Sequence, residues 1–355
     1  MERSREDAVT RARTCTKAAA VVLALLPGVW GAWFEGPAVE AQGRGDEPLT
    51  VARLEQWIAE HSNWGRWGAD DDLGAINLIT PEKRLQAAAL VRAGVSVSLA
   101  EEQIPNVEQP GRSAPYRFRF TFRPDYEEYV TTNPWTAPPP EQLALGAHGS
   151  RSHLDALAHN FYKGQYYNGL PYTDITADGT IRGGIENLRH GVVTRGVLMD
   201  IPRLKGVPYL EPGEPIYPED LEAWERQAGV RVSAGDALFI NTGWFARLAA
   251  LGPFEGSAGL APACIPWLRE RDVAIIGSDE SLDALPSGYT GNPLPTHPVH
   301  YFTMVFLGLN IFDQLQLEEV SAVAAELGRW EFLLVAAPLP IKGGTGSPIN
   351  PIAVF

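Results

Sequence analysis

His148-Gly149-Ser150-Arg151-Ser152-His153-Leu154-Asp155-Ala156-Leu157-Ala158-His159 holds three of the seven histidines in a chain of 355 residues. His153 and Asp155 are two positions apart, so on an extended strand their side chains stand on one face. Neutral imidazole and carboxylate are both good ligands for zinc or manganese. His159 lies four beyond Asp155 and returns to the same centre if the chain turns after the strand. A metal there lowers the pKa of a bound water and polarises a carbonyl. A neighbouring imidazole can then carry the proton from water to the leaving group. The bland reading is that histidines in a loop are solvated or bonded to backbone, since HxDxxxH is a short pattern.

Outward from this stretch, short apolar runs at 197–201, 237–240, 273–276 and 332–335 are bounded by Gly, Pro or Asp and read as buried strands. Thr80-Pro81 followed by Glu82-Lys83-Arg84-Leu85 predicts a capped helix with proline in its first turn. Leu85, Ala88, Ala89 and Val91 would form its apolar face. Residues 218–228, with Glu219 and Asp220 in the first turn, predict a second helix. A third is expected over 318–327, ending at Gly328. Strands mixed with helices and long proline-rich loops predict an α/β or α+β domain around a buried mixed sheet. Residues 107–140 read as an insertion or long loop of the kind that shapes a pocket or a subunit contact. Within it Tyr116, Phe118, Phe120 and Phe122 alternate as one aromatic face of a strand.

The composition is that of a soluble globular protein, with 45% hydrophobic and 20% charged residues. A formal charge of -14 and a pI near 5.0 would repel phosphate backbones, which argues against a nucleic-acid partner. Arg3, Arg5, Arg11, Arg13 and Lys17 precede an apolar run at 18–26, and Val39-Glu40-Ala41 offers small residues for cleavage. This order predicts a signal peptide over 1–41 and an exported chain, periplasmic or secreted, with one domain over 42–355. An uncleaved anchor is the alternative, and only then would the chain touch a membrane. Cys264 would be alone after cleavage, and its surroundings suggest packing rather than nucleophilic chemistry.

The histidine stretch resembles the HxGTHxDxPxH signature of the cyclase family, which includes bacterial kynurenine formamidases and isatin hydrolases. The resemblance extends through residues 64–82, which run from Trp64-Gly65-Arg66-Trp67-Gly68 to Ile79-Thr80-Pro81. It continues in Tyr167-Asn168-Gly169, Gly184-Ile185-Glu186-Asn187, Gly196-Val197-Leu198-Met199-Asp200, Gly277-Ser278-Asp279 and the ending at 344–351. It implies one compact domain with a central mixed, barrel-like sheet flanked by helices, commonly a dimer or tetramer. It also implies His153 and Asp155 as metal ligands, with Asp155 able to bridge two ions, and His159 as general acid/base. The later ligands of the family, a histidine and an acidic residue about three turns of helix further on, match His300 and Asp313. The family usually has Glu at the latter position in its short members, and Asp is one methylene shorter. The first histidine of the signature falls on Gly149. His148, one residue early, either reaches the metal through a bulge or is an ordinary polar side chain, and the site holds one ion or two.

The expected activity is therefore a Zn2+- or Mn2+-dependent hydrolase opening a C–N or C–O bond of a small amide, lactam or ester. The 10 Trp, 11 Tyr and 13 Phe permit an aromatic substrate. Two rivals use the same residues: a metal-independent dehydratase or cyclase working through His159 and Asp155, and an exported small-molecule binding protein with a decayed site. Other features carry less. The run at 343–347 reads as a tight turn rather than a phosphate loop. Asp70, Asp71 and Asp72 read as solvated or capping rather than calcium ligands. His297 is either a neighbour of the site or part of a structured loop.

Overall fold

A computed structural model describes residues 49–102, 117–133, 135–136, 138–144, 146–148, 152–289 and 294–355. The leader over 1–41, Tyr116 and Gly149 lie outside the described residues. Nine strands form the central sheet: β1 (Ser96–Ser98), β2 (His153–Asp155), β3 (Val192–Asp200), β4 (Ala237–Asn241), β5 (Ile275–Ser278), β6 (Asn310–Asp313), β7 (Glu331–Ala336), β8 (Gly346–Pro348) and β9 (Ile352–Val354). Their order is β1-β9-β7-β3-β4-β5-β6-β2-β8. The central four, β3-β4-β5-β6, run parallel, and every other pairing is antiparallel. The apolar runs are therefore the buried centre of a mixed sheet, where both faces are covered and hydrophobic residues are nearly continuous.

The sheet curls enough to bring the chain beyond its β1 edge round to the ends of β6 and β2. Beyond β1 the chain reaches Ala100, which bridges Leu315 just past β6, and Gln316 N–H donates to Leu99 O at 2.9 Å. Ser152, at the start of β2, completes the seam: its Oγ accepts from Glu101 N–H at 2.8 Å and donates to Gln314 O at 2.6 Å. The result is the expected barrel-like sheet, a half-barrel tied by this seam at one end of its strands.

Phenylalanines fill one face of that curl. Phe239 stacks on Phe312 with centroids 5.9 Å apart and lies 5.8 Å from Phe332, which meets Phe355 at 5.4 Å. The register puts Gly196 across from Phe332. A Cβ at 196 would lie 2.2 Å from Phe332 Cε2, so only glycine admits the ring.

The helices follow the sequence closely. Pro218–Ala228 and Glu318–Leu327 end at Gly229 and Gly328, both in the left-handed region that glycine adopts without a Cβ penalty. Thr80 Oγ1 caps Pro81–Ala88 by accepting from Lys83 N–H at 3.2 Å. The face of this last helix differs from expectation. Leu85 is 72% exposed, whereas Lys83 and Ala87 are buried. The cause is electrostatic: the Lys83 ammonium pairs with fully buried Asp236, which Arg195 also approaches at 3.3 Å. A buried carboxylate needs such partners, and they turn the helix.

Residues 107–140 were expected as a loop, but their described part has structure of its own. Arg117–Phe120 pairs antiparallel with Glu141–Ala144, and the helix Tyr126–Thr132 lies between them. The alternating aromatics do form one face, with Phe118, Phe120 and Phe122 at 5.2 and 6.1 Å spacings. They belong to a separate hairpin rather than to an edge of the main sheet. Cys264 is fully buried, as expected of a packing residue, and burial pushes its thiol well up. Among the described residues no helix is long and apolar enough to cross a membrane.

Candidate metal centre

The centre is built on β2. Leu154 is wholly buried on one face, and His153 and Asp155 project from the other. Both neighbours of β2 contribute. β6 sets Asp313 directly opposite His153, and β8 sets Gly346 opposite Asp155. Asn310 Nδ2 donates to the Asp155 backbone carbonyl at 2.9 Å, tying the two strands beneath the site. After Ala156 a single 3-10 turn, Leu157–His159, swings His159 back until its Nε2 lies 3.9 Å from Asp155 Oδ2.

His300 arrives on the short helix Pro298–Phe302. Buried Asp283 holds the start of this helix, its two oxygens accepting from Val299 N–H at 2.8 Å and His300 N–H at 2.9 Å. The His300 ring then spans two carboxylates, with Nε2 3.4 Å from Asp155 Oδ2 and Nδ1 3.8 Å from Asp313 Oδ2. Asp313 is not carried by helix, as the resemblance implied. The helix widens at Thr303–Leu307 and stops at Gly308, whose φ is 68°, and Asp313 follows on a strand. His148 also joins: Nδ1 is 2.7 Å from Asp155 Oδ1, and the ring stacks on His159 at 3.8 Å.

All six residues singled out from the sequence thus meet around Asp155. Five of them form two sets whose ligand atoms lie within 4.8 Å of one another, His148, Asp155 and His159, and His153, Asp155 and Asp313, while His300 lies outside both. Asp155 belongs to both sets. His297 belongs to neither; its ring bonds Thr296 Oγ1 at 2.9 Å, in keeping with the loop reading. Asp71 accepts from Gly74 N–H at the start of the 3-10 helix Gly74–Leu78, the capping role expected, whereas Asp72 accepts from the distant Gly183 N–H. Sequence reasoning missed Asp283 and Thr345, whose hydroxyl lies 3.0 Å from His148 Nε2. Thr345 lies in the ending at 344–351 that carries the family resemblance, but that run gave it no role at the site, and Asp283 carried no local signal.

The electrostatics are those of a site arranged for positive charge. Burial works to raise Asp155, but His148 and His300, with His153 and His159 behind them, hold its carboxyl well below the usual range. Burial also raises Asp313, and the negative charge of Asp155 adds to it. Burial would lower His300, yet Asp313, Asp155 and Asp283 together bring it up to about 9. His159 is lowered to about 4, mainly by burial, so its ring is neutral at pH 7. Asp155 Oδ2 and Asp313 Oδ1 are buried without a hydrogen bond. Buried carboxylate oxygens left so are costly, and a cation is the partner that satisfies them. Carboxylate oxygens beside histidine ring nitrogens are a donor set suited to a divalent ion, which would take the place of the proton on His300.

A curled mixed sheet with a buried histidine–aspartate cluster at its end strands defines the class. The sequence profile of the Cyclase family matches residues 89–283. A solved structure described as a novel cyclase is 32% identical and superposes with a TM-score of 0.72, covering 83% of this chain and 99% of that one. The chain belongs to the Cyclase family. Isatin hydrolase from Roseibium aggregatum is 27% identical over 141 residues, a match spanning 38% of this chain and 50% of that relative. Isatin hydrolase A from Ralstonia solanacearum shares the fold at 22% identity and a TM-score of 0.51, over 77% of this chain and 97% of its own.

Proposed function

We propose that the protein is a hydrolase that uses Zn2+ or Mn2+ to open a small lactam, amide or ester. The observation that carries the reading is Asp155, whose carboxylate is common to two sets of ligand atoms. Similarity to an isatin hydrolase supports a lactam, because isatin is an aromatic lactam. A divalent cation held by His153, Asp155, Asp313 and His300 would supply an acidified water and a polarised carbonyl.

The remaining work falls to side chains of the chain itself. His159 is neutral and only half-buried, so its Nε2 can accept a proton at the mouth of the site. Water adds to the carbonyl carbon, His159 takes its proton, and the same nitrogen returns it to the departing N or O as the bond breaks. Asp283 and Asn310 keep His300 and Asp155 in place, and a shift of about 1 Å in such groups can cost about a hundredfold in rate.

The test is a hydrolysis screen of the metal-reconstituted protein against lactams including isatin, N-formyl amides and lactones. Turnover that chelation removes and Zn2+ or Mn2+ restores supports the reading. Turnover that survives complete metal removal contradicts it.

A further inference from the structure

We infer, on the metal-centre reading above, that His148 replaces the ligand lost at Gly149, binding through Nδ1 in a seat made by Thr345 and Gly346. Four neighbours define that seat. Nδ1 faces Asp155 Oδ1 at 2.7 Å, and Nε2 faces Thr345 Oγ1 at 3.0 Å. Thr345 is itself anchored beside the centre, because its carbonyl accepts from Ala156 N–H at 2.9 Å. Gly346, opposite Asp155 in the β2–β8 ladder, provides the space. A Cβ there would lie 2.4 Å from His148 Cε1. His159 closes the other side of the ring, 10° from parallel.

The chemistry of these partners sets the tautomer. An ionised carboxylate only accepts, so without metal Nδ1 carries the proton toward Asp155, and Nε2 accepts from the Thr345 hydroxyl. A cation on Nδ1 requires that lone pair, so the ring proton moves to Nε2 and Thr345 Oγ1 becomes its acceptor. Only a hydroxyl can serve both states, since it donates and accepts. Thr345 is therefore a positioning residue that fixes the metal-binding tautomer from the far nitrogen. The competing account is a hydrogen-bonded bridge from Asp155 to Thr345 that never meets a metal.

The experiment is a Zn2+ titration of the metal-free full chain, followed by histidine-ring 1H–15N spectra, with His148→Ala identifying the His148 signals. The expected result is an Nδ1–H ring before Zn2+ and an Nε2–H ring with a metal-shifted Nδ1 after it. Thr345→Val should raise the Kd for Zn2+ by roughly 10–100-fold, and Thr345→Ser should leave it near wild type. Gly346→Ala should weaken binding as His148→Ala does, with metal-free melting curves showing that both variants fold. Unchanged Zn2+ affinity in His148→Ala, or an Nδ1 that stays protonated with Zn2+ bound, overturns the inference and leaves the metal centre standing. Absence of Zn2+ binding in the wild-type chain overturns the metal centre itself, and this seat with it.

Discussion

Asp313 stands directly across the β6–β2 ladder from His153, while Asp155, the next residue along that face of β2, collects the rings of His148, His159 and His300. The pairing matters because strand register is specified by the whole sheet. A slip of one residue would turn His153 and Asp155 to the opposite face and dismantle the cluster. The geometry of the centre is thus a consequence of the fold, and the variants below separate fold from chemistry.

His159 should be separable from metal binding. The prediction for His159→Gln is retained metal and a fall in turnover of about 100- to 10,000-fold, the usual contribution of a positioned acid/base. Elemental analysis beside steady-state rates checks it. A variant that loses its metal would make His159 a ligand, which its place beside His148 and Asp155 also permits.

Stability should fall as pH rises from about 4 to 7, through two acids remote from the histidines. Burial pushes Asp279 up to about 6 and, with the charge of Asp279 added, Glu318 up to about 7. The folded chain therefore binds these protons more tightly than the unfolded one, where the groups titrate near 3.8 and 4.5. The stabilisation is complete at low pH and lost through the folded pKa values. Glu318→Gln, which keeps a neutral side chain at all pH, should flatten this slope in urea melts. An identical slope in the variant would refute the assignment.

Gly196→Ala tests the aromatic filling of the sheet. The added Cβ meets the Phe332 ring, and overpacking of this kind costs about 1–3 kcal/mol. A urea midpoint equal to wild type would show that the ring has room to move.

How much of this was legible in the sequence depends on distance along the chain. His153, Asp155 and His159 could be read from local spacing because one strand and one turn place them. His300 and Asp313 were reached by resemblance, yet the strand that carries Asp313 was not, since its register against His153 belongs to the tertiary fold. Lys83 shows the same limit. Apolar spacing pointed to Leu85, but a buried ion pair with Asp236 won the helix face. Thr345 and Asp283 act only through residues far away in sequence, so no local pattern announced them.

The aromatic hairpin carries an exposed apolar face. Phe122 is 61%, Leu143 58% and Trp135 91% exposed, and a lone two-stranded hairpin is marginal without something to pack on. We propose a second copy of this chain as its partner. Light scattering should give a dimer or tetramer that Trp135→Ser with Phe122→Ser weakens, whereas a monomeric wild type would exclude it.

The central claim is that Asp155 is the ligand common to both sets, and the most direct measurement is the metal-to-protein ratio of wild type and Asp155→Ala. Both are purified without chelator or histidine tag and reconstituted with Zn2+ or Mn2+. The account predicts at least one ion per wild-type chain and essentially none in the folded variant. A wild-type chain that takes up no metal, or an Asp155→Ala chain that keeps it, would contradict the account and favour metal-free acid–base chemistry or simple binding.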